Sequence, residues 1–352
     1  MRRMTRILMV LMIVLIAGSC QRRPFAEHRT KVLLNVVIHT DIVNHVQEEL
    51  PENMRVDLYD RETGQLRYTD YVGPTGGYIH PSPGKYDMIV YSIGTESTII
   101  RNEQHFEEIE AYTNEVSAFI KGQMAQFLAK RAKAARERAA KKYAMLMQQK
   151  QQSEDTDAKA PLPYEDELVV NAPDHVFVGW YYNLDIPVVF EEDGDLEISV
   201  EVDAHTLVET WMVEVRNLEG AEWIGSTISL MSGQKGSVHM GPNIHSDKVV
   251  SVYFDMTIQD REDGQGKCLR GKLNTFGIHP NNLAGATLDL NIQDKGETDF
   301  TYHFDVSDQF QNNEKRYIVI DQPIVIEEPK VSGGGFQPVL DEWEDIRTEI
   351  IL

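Results

Sequence analysis

The fold class follows from one stretch of the chain, MRVDLYDRETGQLRYTDYV at residues 54–72. Apolar side chains alternate with polar or charged ones on both sides of a turn: Met54, Val56 and Leu58 before it, Leu66 and Tyr68 after it. Successive side chains of a strand point to opposite faces, so this alternation predicts two half-buried strands. The turn RETG carries Gly64, which can adopt a positive φ. The stretch therefore predicts a β-hairpin.

The same texture extends over most of the chain. Short runs rich in Val, Ile and aromatic residues are separated by Gly, Pro, Asn and Asp, from VLLNVVIHT at residue 32 to KRYIVIDQPIVI at residue 315. Strands this short and this closely spaced are typical of antiparallel β-sandwiches. We predict a mainly β protein with two tandem antiparallel β-sandwich domains, residues 31–200 and 201–331.

One segment, residues 102–152, lacks this pattern of short strands and turns. It contains no proline and one glycine, and its apolar residues recur at steps of three and four: Phe106, Ile109, Val116, Phe119, Ile120, Phe127 and Leu128. This period predicts a long amphipathic helix, or two in tandem, inserted in the first domain. The polar stretch that follows, residues 153–166, is predicted to be a solvated linker.

Charge is distributed unevenly along the chain. The formal net charge is −22, yet residues 121–150 hold nine Lys or Arg and a single acid, Glu137. A surface this acidic repels the phosphate groups of nucleic acid, so most of the surface cannot be a nucleic-acid interface. Two interpretations of the basic helix stay open. Its charges either hydrate a soluble helix face, or dock it to an acidic partner or to phosphate groups at a membrane surface.

The first residues have the features of an export signal. Three arginines precede an unbroken apolar run at residues 7–17. A run of eleven residues is shorter than the about 20 that a membrane-spanning helix needs. We therefore predict that residues 1–19 form a signal peptide and that residues 20–30 form a tether.

The small residues at the end of this run, AGSC at residues 17–20, resemble the bacterial lipobox. That resemblance implies cleavage between Ser19 and Cys20 and lipidation of Cys20; a plain signal peptide is the alternative. Three acyl chains would hold the protein on a bilayer essentially permanently, since each buried methylene contributes about 0.8 kcal/mol. A lipidated Cys20 leaves Cys268, the second of two cysteines, without an intrachain partner. Cys268 is then a lone buried or loop thiol.

The C-terminal segment, residues 332–352, is predicted to be a glycine hinge followed by a strand. SGGG forms a flexible joint, and four alternating residues after it share one face of an extended strand: Ile346, Thr348, Ile350 and Leu352. Two placements of this strand stay open. It docks as an edge strand of its own sheet, or it is donated to another protein by strand addition.

Motifs of catalysis are missing from the sequence. There is no G-x-S-x-G, no phosphate-binding G-x-x-x-x-G-K-S/T and no H-E-x-x-H. The acidic clusters at residues 191–195 and 260–263 lack the D-x-D-x-D-G spacing that wraps calcium, and His239 and His245 have no third ligand nearby. We expect a protein that is not an enzyme and holds no cofactor or metal.

The aromatic run Trp180, Tyr181 and Tyr182 is the candidate ligand site. Aromatic faces can stack on sugars, but strand alternation points at least one of the three inward, and core packing is the usual role of such residues. This run suggests the second of two possible functions, that of a surface or periplasmic lipoprotein that binds a glycan or a host ligand.

Several motifs occur in order along the chain: MRVDLYDRETGQL, GGYIHPSPGKYDMIVYSIG, and later TFGI, LDLNIQD and YHFDVSDQ. Together they resemble the fimbrillin-like lipoproteins of Bacteroides-type bacteria, in particular their anchor or accessory subunits. The resemblance covers residues 32–322. The tail, with GGGF and DEWE, resembles that of a related lipoprotein family with no assigned activity.

The resemblance implies two transthyretin-like sandwiches, a lipid tether, and assembly of surface fimbriae with other fimbrial subunits by strand donation. We therefore expect an outer-membrane structural lipoprotein. Two features depart from the pattern. Residues 102–152 are not expected in a simple anchor, and Cys20 is followed by Gln-Arg-Arg-Pro rather than an acidic run. The second departure favours the periplasmic side over the cell surface.

Overall fold

The computed structural model of the protein describes residues 30–40, 42–43, 46–47, 50–152, 167–189, 195–279, 285–311 and 313–329. Nine strands precede the helices in these ranges: β1 (Thr30–His39), β2 (Ile42–Val43), β3 (Val46–Gln47), β4 (Met54–Asp60), β5 (Leu66–Val72), β6 (Gly76–Ile79), β7 (Gly84–Ser92), β8 (Thr98–Arg101) and β9 (Glu110–Thr113). Two helices follow, α1 (Ala118–Gln123) and α2 (Ala125–Gln152).

Strands also dominate the described residues after the helices. They are β10 (Leu168–Asn171), β11 (Phe177–Ile186), β12 (Leu196–Thr206), β13 (Glu209–Glu219), β14 (Ile224–Lys235), β15 (Ser237–His239), β16 (Ile244–His245), β17 (Val249–Phe254), β18 (Met256–Asp260), β19 (Lys267–Thr275), β20 (Thr287–Asp294), β21 (Asp299–Asp305), β22 (Tyr317–Ile320) and β23 (Ile324–Val325). The mainly β fold class is confirmed.

The first sandwich is built from one curled sheet with the strand order β5-β4-β7-β11-β12-β1-β6. Its edge strands β5 and β6 are consecutive in the chain and are joined by a turn with a bridge between Gly73 and Gly76. Side chains from all seven strands form one core. The predicted hairpin is confirmed: β4 and β5 pair antiparallel, and Gly64 has a φ of 68°. The core includes Leu34, Met54, Val56, Leu58, Met88, Val90, Phe177 and Val202.

The second sandwich consists of two facing sheets. One has the order β10-β17-β14-β20-β21 and the other β18-β19-β13-β22, with β23 also paired to β13. Both contribute alternate side chains to one core, which includes Val213, Val215, Met231, Val252, Leu269, Leu288, Leu290 and Ile318. Most neighbours are antiparallel, but β1 with β12, β10 with β17, and β13 with β22 and β23 run parallel.

A small sheet, β16-β15-β9-β8, joins the two sandwiches. Strands β8 and β9 precede the helices in the chain, whereas β15 and β16 come from the second half. Apolar side chains of this sheet pack on the outer face of the curled sheet and on Phe276. The resulting core includes Tyr59, Ile89, Tyr91, Ile109, Ala111, Val178, Val238 and Met240.

The helical segment begins later than its pattern predicts. Residues 102–117 contain β9 and turns, and α1 starts after Ser117, whose Oγ accepts a hydrogen bond from Ile120 N. Ile109 is buried in the core that joins the sandwiches. Long-range pairing of β9 with β15 therefore outweighs the local helical spacing. The predicted domain boundary after residue 200 lies inside β12, and the predicted linker, residues 153–166, lies outside the described residues.

Candidate functional site: the docked basic helix and the chain ends

The predicted lipidation and strand-donation residues lie outside the described ranges. These are Ser19 and Cys20 at one end and Ile346, Thr348, Ile350 and Leu352 at the other. Their roles stay predictions.

The described chain is held on the second sandwich almost up to the predicted glycine hinge. Ile326 N donates to Glu219 O at 3.0 Å. A Cβ on Gly220, whose φ is 74°, would lie 1.9 Å from Ile326 O, so only glycine permits this approach. Pro329 packs against Gly296. The segment before the predicted terminal strand is thus fixed at the edge of the sheet that contains β13.

The three aromatic residues of the predicted ligand site do not share one face. Trp180 packs in the core that joins the sandwiches, and its Nε1 donates to Met240 O at 2.8 Å. Tyr181 packs against the core of the first sandwich. Tyr182 is 51% exposed and makes an edge contact with Phe106. Of the three, Tyr182 is the one that presents most of its ring to solvent.

Helix α2 docks on the second sandwich through its first half. Met124 and Phe127 are buried against Val169 of β10 and Leu230 of β14. The buried stripe continues one, two and three turns further with Arg131, Ala135 and Ala139. This spacing is that of one helix face, so a charged residue lies in the middle of the docked stripe.

Arg131 makes a buried ionic network beneath α2. Its Nε donates to Asp289 Oδ2 at 2.7 Å, and its Nη2 donates to Glu167 Oε2 at 3.1 Å and to Ser251 Oγ. His303 Nδ1 lies 2.7 Å from the other oxygen of Asp289. The side chains of Arg131, Glu167 and Asp289 are 5%, 2% and 0% exposed. The guanidinium therefore links the helix to β17, to β20 and to the residue before β10, all in one sheet.

Burial governs the electrostatics of this network. It raises the pKa of Glu167, although Arg131 and the hydrogen bond from Ser251 act in the opposite direction. Glu167 Oε1 is buried without a hydrogen-bond partner. Charged groups removed from water need a partner in position, so the loss of Arg131 would leave the Glu167 and Asp289 carboxylates buried without its guanidinium.

Sequence reasoning missed this network. The available signal was the position of Arg131, three and four residues after Leu128 and Phe127, inside an otherwise apolar stripe. Nothing in the sequence identifies Glu167, Ser251 and Asp289 as its partners, because they are brought together by the sheet.

The second half of α2 is mostly exposed. Tyr143 and Leu146 are each 37% exposed and Met145 is 64% exposed, and Lys141 and Lys142 lie beside them at the surface. The basic segment thus has two parts, one docked by Arg131 and one that presents lysines and apolar side chains to solvent.

The described ranges contain potential metal ligands and one free thiol, Cys268. No group of three His, Cys, Asp or Glu side chains there is arranged to hold a metal ion. Cys268 is a free, buried thiol whose Sγ lies 3.7 Å from Gln259 O, and burial raises its pKa. Of the two placements that the sequence leaves open for this thiol, buried or in a loop, the structure has the buried one. No helix among the described residues is both long and apolar enough to cross a membrane.

Comparison with known proteins confirms the resemblance to fimbrillin-like proteins. Over 106 residues the chain is 32% identical to the "Putative fimbrium anchoring subunit Fim4B" of Bacteroides ovatus, and this match spans 30% of the chain and only 31% of that relative's length. The crystal structure of a putative adhesin from Bacteroides ovatus has a similar fold, with a TM-score of 0.51 at 18% identity over 88% of this chain and 99% of that chain.

The fimbrial anchor protein Mfa2 from Porphyromonas gingivalis also matches, with a TM-score of 0.45 at 13% identity over 82% of this chain and 90% of that chain. The family model for the "Domain of unknown function (DUF5119)" matches residues 19–255. That range contains the curled sheet, both helices and the strands up to β17, which is well over half of the 352 residues. The chain therefore belongs to the DUF5119 family.

Proposed function

We propose that the protein is a lipid-anchored structural subunit, an anchor or accessory subunit, of a fimbria-like surface assembly. The observation that carries this proposal is the 32% identity over 106 residues with a relative named as a fimbrium anchoring subunit. A scaffold of two sandwiches joined by a third apolar core supports it, because a subunit that bears load needs rigid domains rather than a mobile active site.

Lipid tethering through Cys20 is the first part of the proposal. It rests on the lipobox-like sequence, and the family match begins at Ser19, directly before Cys20. Acyl chains on Cys20 would place the protein at the outer membrane. The residues after it, Gln-Arg-Arg-Pro, favour the periplasmic leaflet over the cell surface.

Strand complementation is the second part. The alternation of Ile346, Thr348, Ile350 and Leu352 suits a strand that pairs with a sheet edge and buries one face. Because the chain is fixed up to Pro329, the glycine hinge at residues 332–335 would start at the edge of the second sandwich. A strand on that hinge would be available to another subunit.

Purification of the native complex from membranes tests both parts. We expect Cys20 to carry a thioether-linked lipid by mass spectrometry, and we expect other fimbrial subunits to co-purify with the full chain. A chain that ends at residue 331 should keep its thermal unfolding midpoint and its membrane association but lose the co-purifying subunits. Ile350→Asp should act like the truncation, whereas Arg347→Asp, on the opposite face, should not.

The two parts fail separately. An unmodified Cys20 thiol, or release of the protein into the medium, would refute the tether. If the truncated chain unfolds, the terminal strand belongs to its own sheet and is not donated.

The glycan-binding alternative through residues 180–182 has weaker support. Trp180 donates its N–H within the protein and Tyr181 faces the first core. A glycan array read with Tyr182→Ala distinguishes the two functions, since signal that depends on Tyr182, without any co-purifying subunit, would favour the binding module.

A further inference from the structure

A cleft of about 320 Å³ lies on the second sandwich, and the residues that line it include none of the aromatic run or the basic helix. Its walls include Glu209 and Trp211 of β13, Lys235 at the end of β14, Ile278 after β19, and Phe310 and Arg316 before β22. Ligand sites are concave and combine an apolar wall with a few convergent polar groups. The cleft is at the small end of that range and suits a ligand the size of one sugar ring.

The apolar wall of the cleft is rigid. The ring centroids of Trp211 and Phe310 lie 4.5 Å apart, and Trp211 is almost completely buried. Its Nε1 donates to Glu209 Oε2 at 3.1 Å. This hydrogen bond orients the Glu209 carboxylate at the cleft and leaves its other oxygen to accept hydrogen bonds from a ligand.

A cation lies beside that carboxylate. A Cβ built on Gly277 would be 3.6 Å from Lys235 Nζ and 3.5 Å from Glu209 Oε1, so the ammonium and the carboxylate flank the same glycine. Lys235 makes no ion pair or side-chain hydrogen bond with another residue in the described part of the chain. An ammonium in that position can bind an incoming anion.

Arg316 also lines the cleft. Its φ of 49° is left-handed, which is uncommon for a residue with a side chain. Two backbone hydrogen bonds hold it there: Arg316 N donates to Asn313 O at 3.0 Å, and Met212 N donates to Arg316 O at 2.9 Å. Strained backbone held in this way is often found at ligand clamps.

The cleft therefore presents a positively charged group on a chain whose formal net charge is −22. The Lys235 ammonium, which has no ion-pair partner in the described part of the chain, lines it beside the Glu209 carboxylate. The nearby His245 and His279 add no positive charge near pH 7, because burial and the charge of Lys235 lower the pKa of both. An anion is attracted to this cleft and repelled from most of the remaining surface.

We propose that this cleft binds a sugar acid. Lys235 holds the carboxylate of the ligand, Glu209 accepts hydrogen bonds from its hydroxyl groups, and the wall of Ile278 and Phe310 packs against the ring. A neutral sugar lacks the first interaction, and a simple carboxylate lacks the second and third. The proposal depends neither on the lipid tether nor on strand complementation.

Calorimetric titration of the full chain at low salt tests the site with three probes: D-glucuronate, D-glucose and propionate. We expect D-glucuronate to bind at least about tenfold more tightly than either of the others, because each of them lacks charge-assisted hydrogen bonds that D-glucuronate makes. Lys235→Gln should remove the preference of D-glucuronate over D-glucose, and Lys235→Arg should keep it. Glu209→Gln should reduce the preference of D-glucuronate over propionate.

Lys272→Gln is the matched control, since Lys272 is an exposed lysine on neighbouring β19 and does not line the cleft. The thermal unfolding midpoint of each variant checks that it is folded. The proposal is overturned if D-glucuronate does not bind the folded protein, or if Lys235→Gln and Lys272→Gln bind D-glucuronate equally well.

Discussion

Glu214 is kept ionised although its side chain is only 3% exposed. Arg216 Nε donates to Oε1 at 2.7 Å, Arg270 Nη2 donates to Oε2 at 2.6 Å, and the Tyr317 hydroxyl also donates to Oε2. Burial raises the pKa of Glu214, but the hydrogen bonds from Tyr317, Arg216 and Arg270 outweigh it and lower the pKa to about 2. These bonds connect β13, β19 and β22 on the outer face of one sheet.

This shift predicts a specific loss of stability in acid. A carboxyl whose pKa is lowered in the folded state stabilises it fully above its unfolded pKa, near 4.5, and loses that contribution as the pH falls towards about 2. The free energy of unfolding should therefore fall more steeply between pH 4.5 and 2 in the wild-type protein than in Glu214→Gln. Urea denaturation at several pH values measures this slope.

The control for that experiment is Glu262→Gln. Glu262 also pairs with Arg270, but its side chain is 82% exposed, so its removal should leave the slope nearly unchanged. Parallel curves for the wild-type protein and Glu214→Gln would contradict the assigned role of Glu214.

Helix α2 behaves as two segments at the scale of one element. Its 28 residues reach about 42 Å at 1.5 Å per residue. The first half is attached by apolar packing and by Arg131, and the second half exposes Tyr143, Met145 and Leu146. A helix rich in Ala and Lys has high intrinsic propensity, so the second half can remain helical with little packing against the sandwich.

Loss of Arg131 should release the docked half. Arg131→Met leaves Glu167 and Asp289 buried without their cation, and breaking a buried pair in this way costs about 3–5 kcal/mol. Lys133→Met, an exposed site on the same helix, should change the free energy of unfolding by less than about 0.5 kcal/mol. Urea denaturation gives both values, and hydrogen exchange should show lost protection of residues 125–139 in Arg131→Met alone. Equal exchange in the two variants would argue against the network as the main attachment.

Across the whole molecule, the two sandwiches share a core. The sheet β16-β15-β9-β8 takes strands from both halves of the chain, and its buried side chains contact the curled sheet and Phe276 together. Gly241 lies where this sheet approaches Phe106: a Cβ at that position would be 1.8 Å from Phe106 O. The junction therefore depends on a close backbone contact.

We expect the wild-type protein to unfold in one cooperative calorimetric transition. Gly241→Ala forces the backbone at the junction to move, so the two sandwiches should unfold in two resolved transitions, the first at a lower temperature. Gly122→Ala has open space around its new methyl group and should keep one transition, with stability unchanged or raised by up to about 1 kcal/mol. A single unshifted transition in Gly241→Ala would show that the junction does not couple the sandwiches.

Local sequence patterns were sufficient to predict the strands and turns. Alternation at residues 54–72 and the glycine of the turn predict the hairpin, since side-chain period and positive φ are properties of a few adjacent residues. The mainly β class and the fimbrillin-like resemblance follow from similar short patterns. The start of the helix could not be predicted in this way. Residues 110–113 pair with residues 237–239, and the residues next to 110–113 in the sequence contain no information about that partner.

The polar sites depended on the tertiary structure for the same reason. Arg131 meets Glu167, Ser251 and Asp289 only when helix and sheet pack together, and Glu209, Lys235 and Arg316 line one cleft only after three separate segments converge. Periodicity reports which face of an element is buried, whereas the pairing of charges across a fold is set by long-range packing. Local pattern therefore determined the elements, and their assembly determined which charged side chains meet.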